Sequence, residues 1–258
     1  MKSLLEQTIV IIKEAGEKLR DSHAQVIQEK GDVANLVTDM DCKIQDFLVA
    51  SLKKIRPDSH FLVEEEEQHL VHDDYLWIID PIDGTTNYAY DYRHSAISIA
   101  FLHRKEVIMG VVYNPYTDEL FHSIKGEGAF LNGQPIHVQD RPMESSLILC
   151  GTSPYHKHMV DTSFEILKTL FVRGRDLRRS GSAVLDLCYV ACGRVDAFFE
   201  YRLSPWDFAA ASLLIQEAGG LIECPNGVWG FEKAITIIAG NPNNIKELRT
   251  IVQEYTKA

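Results

Sequence analysis

Trp77-Ile78-Ile79-Asp80-Pro81-Ile82-Asp83-Gly84-Thr85-Thr86-Asn87-Tyr88 is the stretch from which the rest of the chain can be read. The apolar run Trp77 to Ile79 reads as a strand that carries Asp80 to its end. Pro81 has a fixed φ and no backbone donor, so the chain bends there. Asp83 then returns toward Asp80, and Gly84-Thr85-Thr86 can open a helix. Two carboxylates are thereby held on one tight turn, with backbone N–H groups in front, where phosphate is the natural occupant. Asp-Pro-x-Asp-Gly is equally ordinary turn chemistry. The turn alone leaves both readings open, and the other acidic residues must decide.

Glu64, Glu65, Glu66 and Glu67 follow the strand-like Phe61-Leu62-Val63. A charge run is usually a solvated face, but strand alternation lets one or two of them point toward the Asp80 turn. Glu64, first after the strand, is the candidate. Asp207, in Ser204-Pro205-Trp206-Asp207-Phe208, lies at the start of a predicted helix. Taken singly it reads as a dipole complement worth a few tenths of a kcal/mol. Thr38 and Asp41 stand where a helix begins and are both capping types. They also suit a hydrogen-bonded pair that orients an attacking water. If Glu64, Asp80, Asp83 and Asp207 converge, like charges about 4 Å apart repel by about 4 kcal/mol at an effective dielectric near 20. Protons or cations must then neutralise the cluster. Oxygen-only ligands suit Mg2+ or Mn2+ rather than zinc.

Outward from this centre, helices and strands alternate. Leu4, Leu5, Thr8, Ile11, Ile12 and Ala15 keep a helical period, so the chain begins with an amphipathic helix. A second helix is expected from about Asp39 to Ile55, stopped before Pro57. Paired strands follow at 95–102 and 107–113, then Glu119 to Ile124. Asn132-Gly133 marks a hairpin, since both residues tolerate positive φ. In the second half, strands are expected at 146–151 and 195–200, in Leu221 to Cys224 and in Ala234 to Gly240. Helices are expected at 160–170, 183–191, 205–218 and 242–255. Pro205 at the start and Gly219-Gly220 at the end of the third of these follow the usual asymmetry. Composition never breaks along the chain. One domain is therefore expected, with two closely packed halves, roughly 1–145 and 146–258, and no flexible linker.

At 258 residues, 45% hydrophobic and 24% charged, the chain is long enough for a sizeable core. The net charge of −11 disfavours nucleic acid as a partner, because phosphate contacts need a basic face. The five cysteines are scattered, which fits a reducing cytoplasm. Cys188 and Cys192 are spaced to face one metal, but no second pair stands near them, and a buried helix face is the better reading. No apolar run reaches membrane-spanning length.

In this order the elements resemble the inositol monophosphatase family: Leu36 to Asp41, a strand ending at Glu64, Trp77 to Tyr88, Ser180 to Gly193, and Pro205 to Gly220. The similarity covers almost the whole chain. It implies an α+β fold, a layered αβαβα sandwich, usually in a homodimer, with a small phosphate ester as substrate and two or three Mg2+ ions. It also implies roles. Glu64, Asp80 and the Ile82 carbonyl would hold one ion. Asp80, Asp83 and Asp207 would hold a second, and Glu64 with waters a weaker third. Thr85 and Asp41, with Thr38 behind them, would position the nucleophilic water. The Gly84 and Thr85 amides would bind the phosphate. Gly181, Ser182, Ala183 and Glu200, with Asp83 and Asp207, match positions that contact substrate. Val63 and Ser182 depart mildly from the family pattern, in the substrate pocket and not among the metal ligands.

Other readings compete. Asp39-Met40-Asp41 resembles the D-x-D of haloacid-dehalogenase-type phosphatases, whose first Asp is a nucleophile and needs a buried strand before it. Some members of the resembled family bind cellular machinery, including transcription complexes. Substrates on the same site could be inositol phosphates, sugar bisphosphates, NADP or other nucleotide phosphates. Thr86-Asn87 resembles the inositol and sugar branch. Arg173, Arg175, Arg178 and Arg179 cluster before Gly181. They read as a surface strand or dimer contact, or as a grip on a second phosphate.

Overall fold

A computed structural model describes residues 1–22, 27–29, 36–65, 74–154 and 156–256. Glu66 and Glu67 lie outside the described residues. Helix α1 (Lys2–Arg20) buries Thr8, Ile12, Ala15 and Leu19, the stripe its period predicts. A small antiparallel pair, β1 (Ile27–Glu29) and β2 (Leu36–Thr38), leads into α2 (Asp39–Ile55). Thr38 and Asp41 close a capping box there, and α2 ends two residues before Pro57.

Strand β3 (His60–Val63) then pairs in parallel with β4 (Tyr75–Asp83). The five-residue helix α3 (Thr85–Ala89) follows. Strands β5 (Ala96–His103), β6 (Glu106–Asn114), β7 (Glu119–Ile124), β8 (Ala129–Leu131) and β9 (Gln134–Pro135) extend the sheet as an antiparallel meander. The β8–β9 turn carries Asn132 at φ 49° and Gly133 at φ 76°, as its dipeptide predicts.

The second half runs β10 (Leu147–Cys150), α4 (Val160–Arg173), β11 (Asp176–Arg178), α5 (Ala183–Ala191), β12 (Ala197–Leu203), α6 (Pro205–Glu217), β13 (Leu221–Glu223), β14 (Ile235–Gly240) and α7 (Pro242–Tyr255). Its sheet has the order β11-β10-β12-β14-β13.

Side-chain parity along each strand sorts the core into layers. Trp77 and Ile79 pack with Ile12 and Leu48 of α1 and α2 on one face of the first sheet. Ile78, between them, faces the opposite way, toward Leu185 of α5 and Phe208 of α6. Phe198 meets those same two helices from the second sheet, while its neighbour Phe199 packs with Ile166 of α4 and Leu248 of α7. The result is the layered αβαβα sandwich. Helix α6 is apolar on all sides because a sheet covers it on each face. Gly110 lets it come close: a Cβ there would lie 2.5 Å from the Ala210 carbonyl oxygen.

One expectation changes, and the place of Glu64 just after its strand is met. Strand β4 does not end at Asp80 but runs through Pro81 to Asp83, and its register against β5 shifts between those two acids. A bulge has an unpaired position, so proline's missing donor costs nothing there. The β3 strand stops at Val63, and Glu64 and Glu65 form a turn.

Candidate active site

The bulge in β4 is the foundation of the site. Asp80 Oδ1 accepts from the Ile82 N–H at 3.0 Å, which fixes the carboxylate beside the irregularity. Asp83 is tied across to α5: its Oδ2 accepts from the Ser182 hydroxyl and, at 3.1 Å, from the Val184 N–H. Asp207 is the third residue of α6, and its Oδ2 accepts from the Ser204 N–H at 2.7 Å. The Asp207 carboxylate closes a capping box at the start of α6, and it also reaches the acids of the β4 bulge. Ligand oxygens of Asp80, Asp83 and Asp207 lie within 4.8 Å of one another.

The electrostatics of this cluster are unbalanced. Burial, then Glu64, Asp83, Asp207 and Asp41, push the Asp80 carboxyl well above the usual range. Burial, then Asp83 and Glu64, do the same to Asp207. Burial pushes Asp83 up to about 6, against hydrogen bonds led by Ser182 that pull it down. The largest charges acting on Asp80 are all carboxylates, and no ion pair among the described residues offsets them, which leaves room for compensation by a bound cation. Clustered and purely oxygen-bearing, with Asp80 and Asp83 buried and Asp207 half-buried, the three acids suit a hard divalent cation. Glu64 lines the same cleft and repels Asp80 and Asp207, but it stands outside the tight triad.

A second chain of polar groups runs inward. Thr85 Oγ1 lies 3.1 Å from Asp41 Oδ1 and 3.0 Å from the Ile82 carbonyl oxygen. Asp41 Oδ2 accepts from the Thr38 hydroxyl at 2.5 Å and from the Thr38 N–H at 2.8 Å. The capping box and the hydrogen-bonded pair expected of Thr38 and Asp41 thus coexist in one geometry. Asp41 is fully buried, and burial lifts it to about 6 against the pull of the Thr38 bonds. Asp39 sits in the first turn of α2, 2.6 Å from Lys43, after the three-residue β2 and not after a core strand. The D-x-D reading loses its structural requirement.

Gly84 bridges the triad and the threonine. Its φ is 86°, and a Cβ would sit 3.1 Å from the carbonyl oxygens of Gly181 and His94. A side chain is excluded on both counts. Asn87 donates to His94 O at 2.7 Å and to Ser180 O at 3.1 Å, which locks α3 to the entry of α5. Gly181, Ser182 and Ala183 enter the cleft from there.

Glu200, on β12, completes a cleft of about 450 Å³. Burial pushes it up to about 7, while Ser153 and Arg179 pull it down. The Ser153 N–H donates to Glu200 Oε1 at 3.2 Å. A Cβ on Gly151 would fall 1.7 Å from the Glu200 carboxyl carbon, so only glycine leaves room for it.

The structure therefore brings Asp80, Asp83 and Asp207 into one cluster, with Glu64, Ile82, Gly84, Thr85, Gly181, Ser182, Ala183 and Glu200 on the same cleft. Thr38 and Asp41 stand behind Thr85. Sequence reasoning missed Gly151, Ser153 and Asp186. Asp186 is a buried acid on the cleft that accepts from Ser180 Oγ at 2.5 Å. Its signal was a lone carboxylate inside the apolar run Ala183 to Ala191. The arginine cluster divides. Arg173 pairs with Glu247 at 4.0 Å, Arg175 donates to Ser145 O at 3.2 Å, and Arg178 pairs with Asp176 at 2.5 Å. Arg179 lines the cleft. Cys188 is buried on α5 beside the half-buried Cys192, the helix face its spacing suggested, and no described cysteine forms a disulfide.

The chain is 38% identical to the Nus factor SuhB of Salmonella typhimurium over 216 residues, 83% of this chain and 81% of that one. It is 35% identical to an inositol monophosphatase of Dictyostelium discoideum over 261 residues, 97% and 95% of the two chains. The solved IMPase of Thermotoga maritima superimposes with a TM-score of 0.90 at 31% identity, covering 100% of this chain and 99% of that one. A model of the inositol monophosphatase family matches residues 1–257. With the acid cluster in place and this match running from end to end, the chain belongs to the inositol monophosphatase family.

Proposed function

We propose that this chain hydrolyses small phosphate monoesters of polyols with the help of Mg2+, or Mn2+ as a substitute. The observation that carries the reading is the uncompensated triad Asp80, Asp83 and Asp207, set beside the side-chain-free Gly84. Glu64, Asp80 and the Ile82 carbonyl would hold one ion, Asp80, Asp83 and Asp207 another, and Glu64 a weaker third. Bound divalent cations supply an activated water and neutralise charge on the transferred phosphate and the leaving oxygen. The chain's own groups supply position. Thr85 Oγ1, within reach of Asp41, faces the water, and Thr38 fixes Asp41 in turn. The Gly84 and Thr85 N–H groups would bind the phosphate, and Gly84 brings no side chain of its own there. Gly181, Ser182, Ala183 and Glu200, with Asp83 and Asp207, receive the alcohol, whose hydroxyls suit buried hydrogen-bonding groups.

The test is phosphate release from an inositol monophosphate, with and without Mg2+ and after chelation. Release that needs the ion supports the reading. Absence of release from inositol, sugar and nucleotide monophosphates alike would refute it. We infer a homodimer from the family resemblance, to be checked by light scattering, and a cytoplasmic location from the scattered cysteines, to be checked by cell fractionation. Among the described residues, no helix is long and apolar enough to cross a membrane.

The SuhB relatives carry the name Nus factor, which favours a second reading. An added role in a macromolecular complex would coexist with catalysis. A pull-down with Asp80→Asn separates the two: a partner retained by this variant belongs to a surface role, and failure to retain any partner counts against one.

A further inference from the structure

One buried acid on the cleft takes no part in the chemistry described so far. Asp186 stands in the first turn of α5, a helix otherwise buried through Val184, Leu185, Leu187 and Cys188. It is only 2% exposed. Burial pushes its carboxyl well above the usual range, while Ser180 and Arg179 pull it down. An acid in so apolar a setting opposes folding unless its bonds return something. Its side chain takes one hydrogen bond among the described residues, from Ser180 Oγ at 2.5 Å.

That bond is one link in a ring. An acid near a helix start ordinarily reaches back to the N–H of the N-cap residue. Asp186 does so at one remove. Ser182 is the N-cap of α5, and its N–H donates to Ser180 Oγ at 3.2 Å. The Ser180 hydroxyl has a single proton, which goes to Asp186, so a lone pair is left for the Ser182 N–H. The Asp186 N–H closes the ring by donating to Ser182 O at 3.0 Å. That same carbonyl oxygen is 3.4 Å from Ser180 Oγ, and a hydroxyl not engaged by Asp186 is free to turn toward it.

Capping alone would make this a matter of helix stability. The difference lies in what the N-cap holds. Ser182 Oγ accepts from the Leu185 N–H at 3.3 Å and donates to Asp83 Oδ2, which also accepts from the Val184 N–H at 3.1 Å. Asp83 thus takes its bonds from the start of α5, the part that Asp186 and Ser180 tie down. The turn between them lies against the site: Gly181 stands at φ 93°, and its carbonyl oxygen would be 3.1 Å from a Cβ on Gly84.

We propose that Asp186 is a positioning residue: through Ser180 it fixes the Ser182 N-cap, and with it the Asp83 carboxylate, in the orientation that a divalent cation requires. This rests on the phosphatase reading given above. Groups that orient a ligand commonly govern affinity for the ion without touching it.

The test measures how phosphate release from an inositol monophosphate depends on Mg2+ and on the ester, together with calorimetric titration of the protein by Mg2+ alone. Ser180→Ala removes the relay hydroxyl and keeps the carbonyl that Asn87 holds. It should raise both the Mg2+ concentration for half-maximal rate and the Kd for Mg2+ by about tenfold, with a smaller change in the ester KM. Asp186→Leu should repeat the shift, and the double variant should go no further, because both changes cut one route. Asp186→Asn keeps an oxygen for Ser180 and should recover most of the loss. If Asp186→Leu does not fold, Ser180→Ala set against Asp186→Asn still decides. Fully additive shifts overturn the proposal, as does a raised ester KM with unchanged Mg2+ dependence. If wild type releases no phosphate, the phosphatase reading fails and the titration alone judges the positioning. Weaker Mg2+ binding by Ser180→Ala than by wild type then supports it, and equal binding, or none by wild type, overturns it.

Discussion

Two buried acidic regions of this molecule differ in one respect. Asp196, at the start of β12, has no exposed side-chain surface, yet Arg141 Nη1 donates to it at 2.7 Å and the Leu147 N–H at 2.8 Å. It joins β10 to β12 and its charge is answered from within the chain. Asp80 and Asp83 are buried as well and Asp207 is half-buried, but the largest charges acting on Asp80 are carboxylates, and none of these three acids forms an ion pair among the described residues. Burial of an acid is therefore not the mark of a functional site here. The mark is burial without internal compensation, because folding alone would not keep such a cluster. The comparison can be broken by experiment on either side.

The largest effect should come from Asp80→Asn. Asp80 is the acid that feels all of the others, and its loss should lower turnover by about three orders of magnitude or more, measured as Mg2+-dependent phosphate release. Near-normal turnover would remove Asp80 from the centre of the site. At the structural acid, Arg141→Ala should strand Asp196 and destabilise the fold by about 2 kcal/mol. The figure is discounted because the arginine side chain is 45% exposed. Denaturant unfolding measures it, and an unchanged midpoint would mean that Asp196 finds compensation elsewhere.

Removing a charge from the triad should have the opposite sign. With the metal chelated, Asp207→Asn should be more stable than wild type near pH 7.5 by about 1 kcal/mol, although inactive. The amide oxygen can still accept from the Ser204 N–H, so the helix cap survives. The pH dependence follows from the raised carboxyls. A carboxyl whose pKa is higher in the folded chain binds more protons there than in the unfolded chain. Its contribution to stability is therefore lost as pH rises from near 4 through the folded value, about 6 for Asp83. Metal-free wild type should lose stability over that window and above it, the asparagine variant less so, and added Mg2+ should restore wild type. Thermal melts at pH 5 and 7.5 measure all three, and parallel curves for the two proteins would refute the like-charge account.

How far these regions could be read in advance depended on the kind of signal. The span of α2 was legible because a capping box and Pro57 bound it at both ends. The β8–β9 turn was legible from Asn132-Gly133. Asp80 and Asp83 were legible as a pair because only Pro81 and Ile82 separate them and Pro81 breaks the regular strand. The continuation of β4 through Pro81 was not, because a bulge depends on the partner strand, which local sequence does not contain. Arg179 could not be told from Arg173, Arg175 and Arg178, since the difference lies in which of them meets an acid across the fold. Gly151 looked like a strand end, and the reason for it is the Glu200 carboxylate lying 1.7 Å from where its Cβ would be.

Arg202 carries the smallest expected effect and the most local test. Left-handed backbone costs an ordinary residue roughly 1 kcal/mol relative to glycine. Glycine in turn loses more backbone entropy on folding, and the variant gives up one exposed bond to His156. The terms nearly offset, and Arg202→Gly should leave the fold more stable by only about 0.5 kcal/mol, a shift of 1–2 °C at most. A clear loss of stability would mean that the Arg202 side chain is held for the fold, as Asp196 is. A small gain would mean that the fold does not depend on the strained backbone at the β12 bulge, where Arg202 stands at φ 54°.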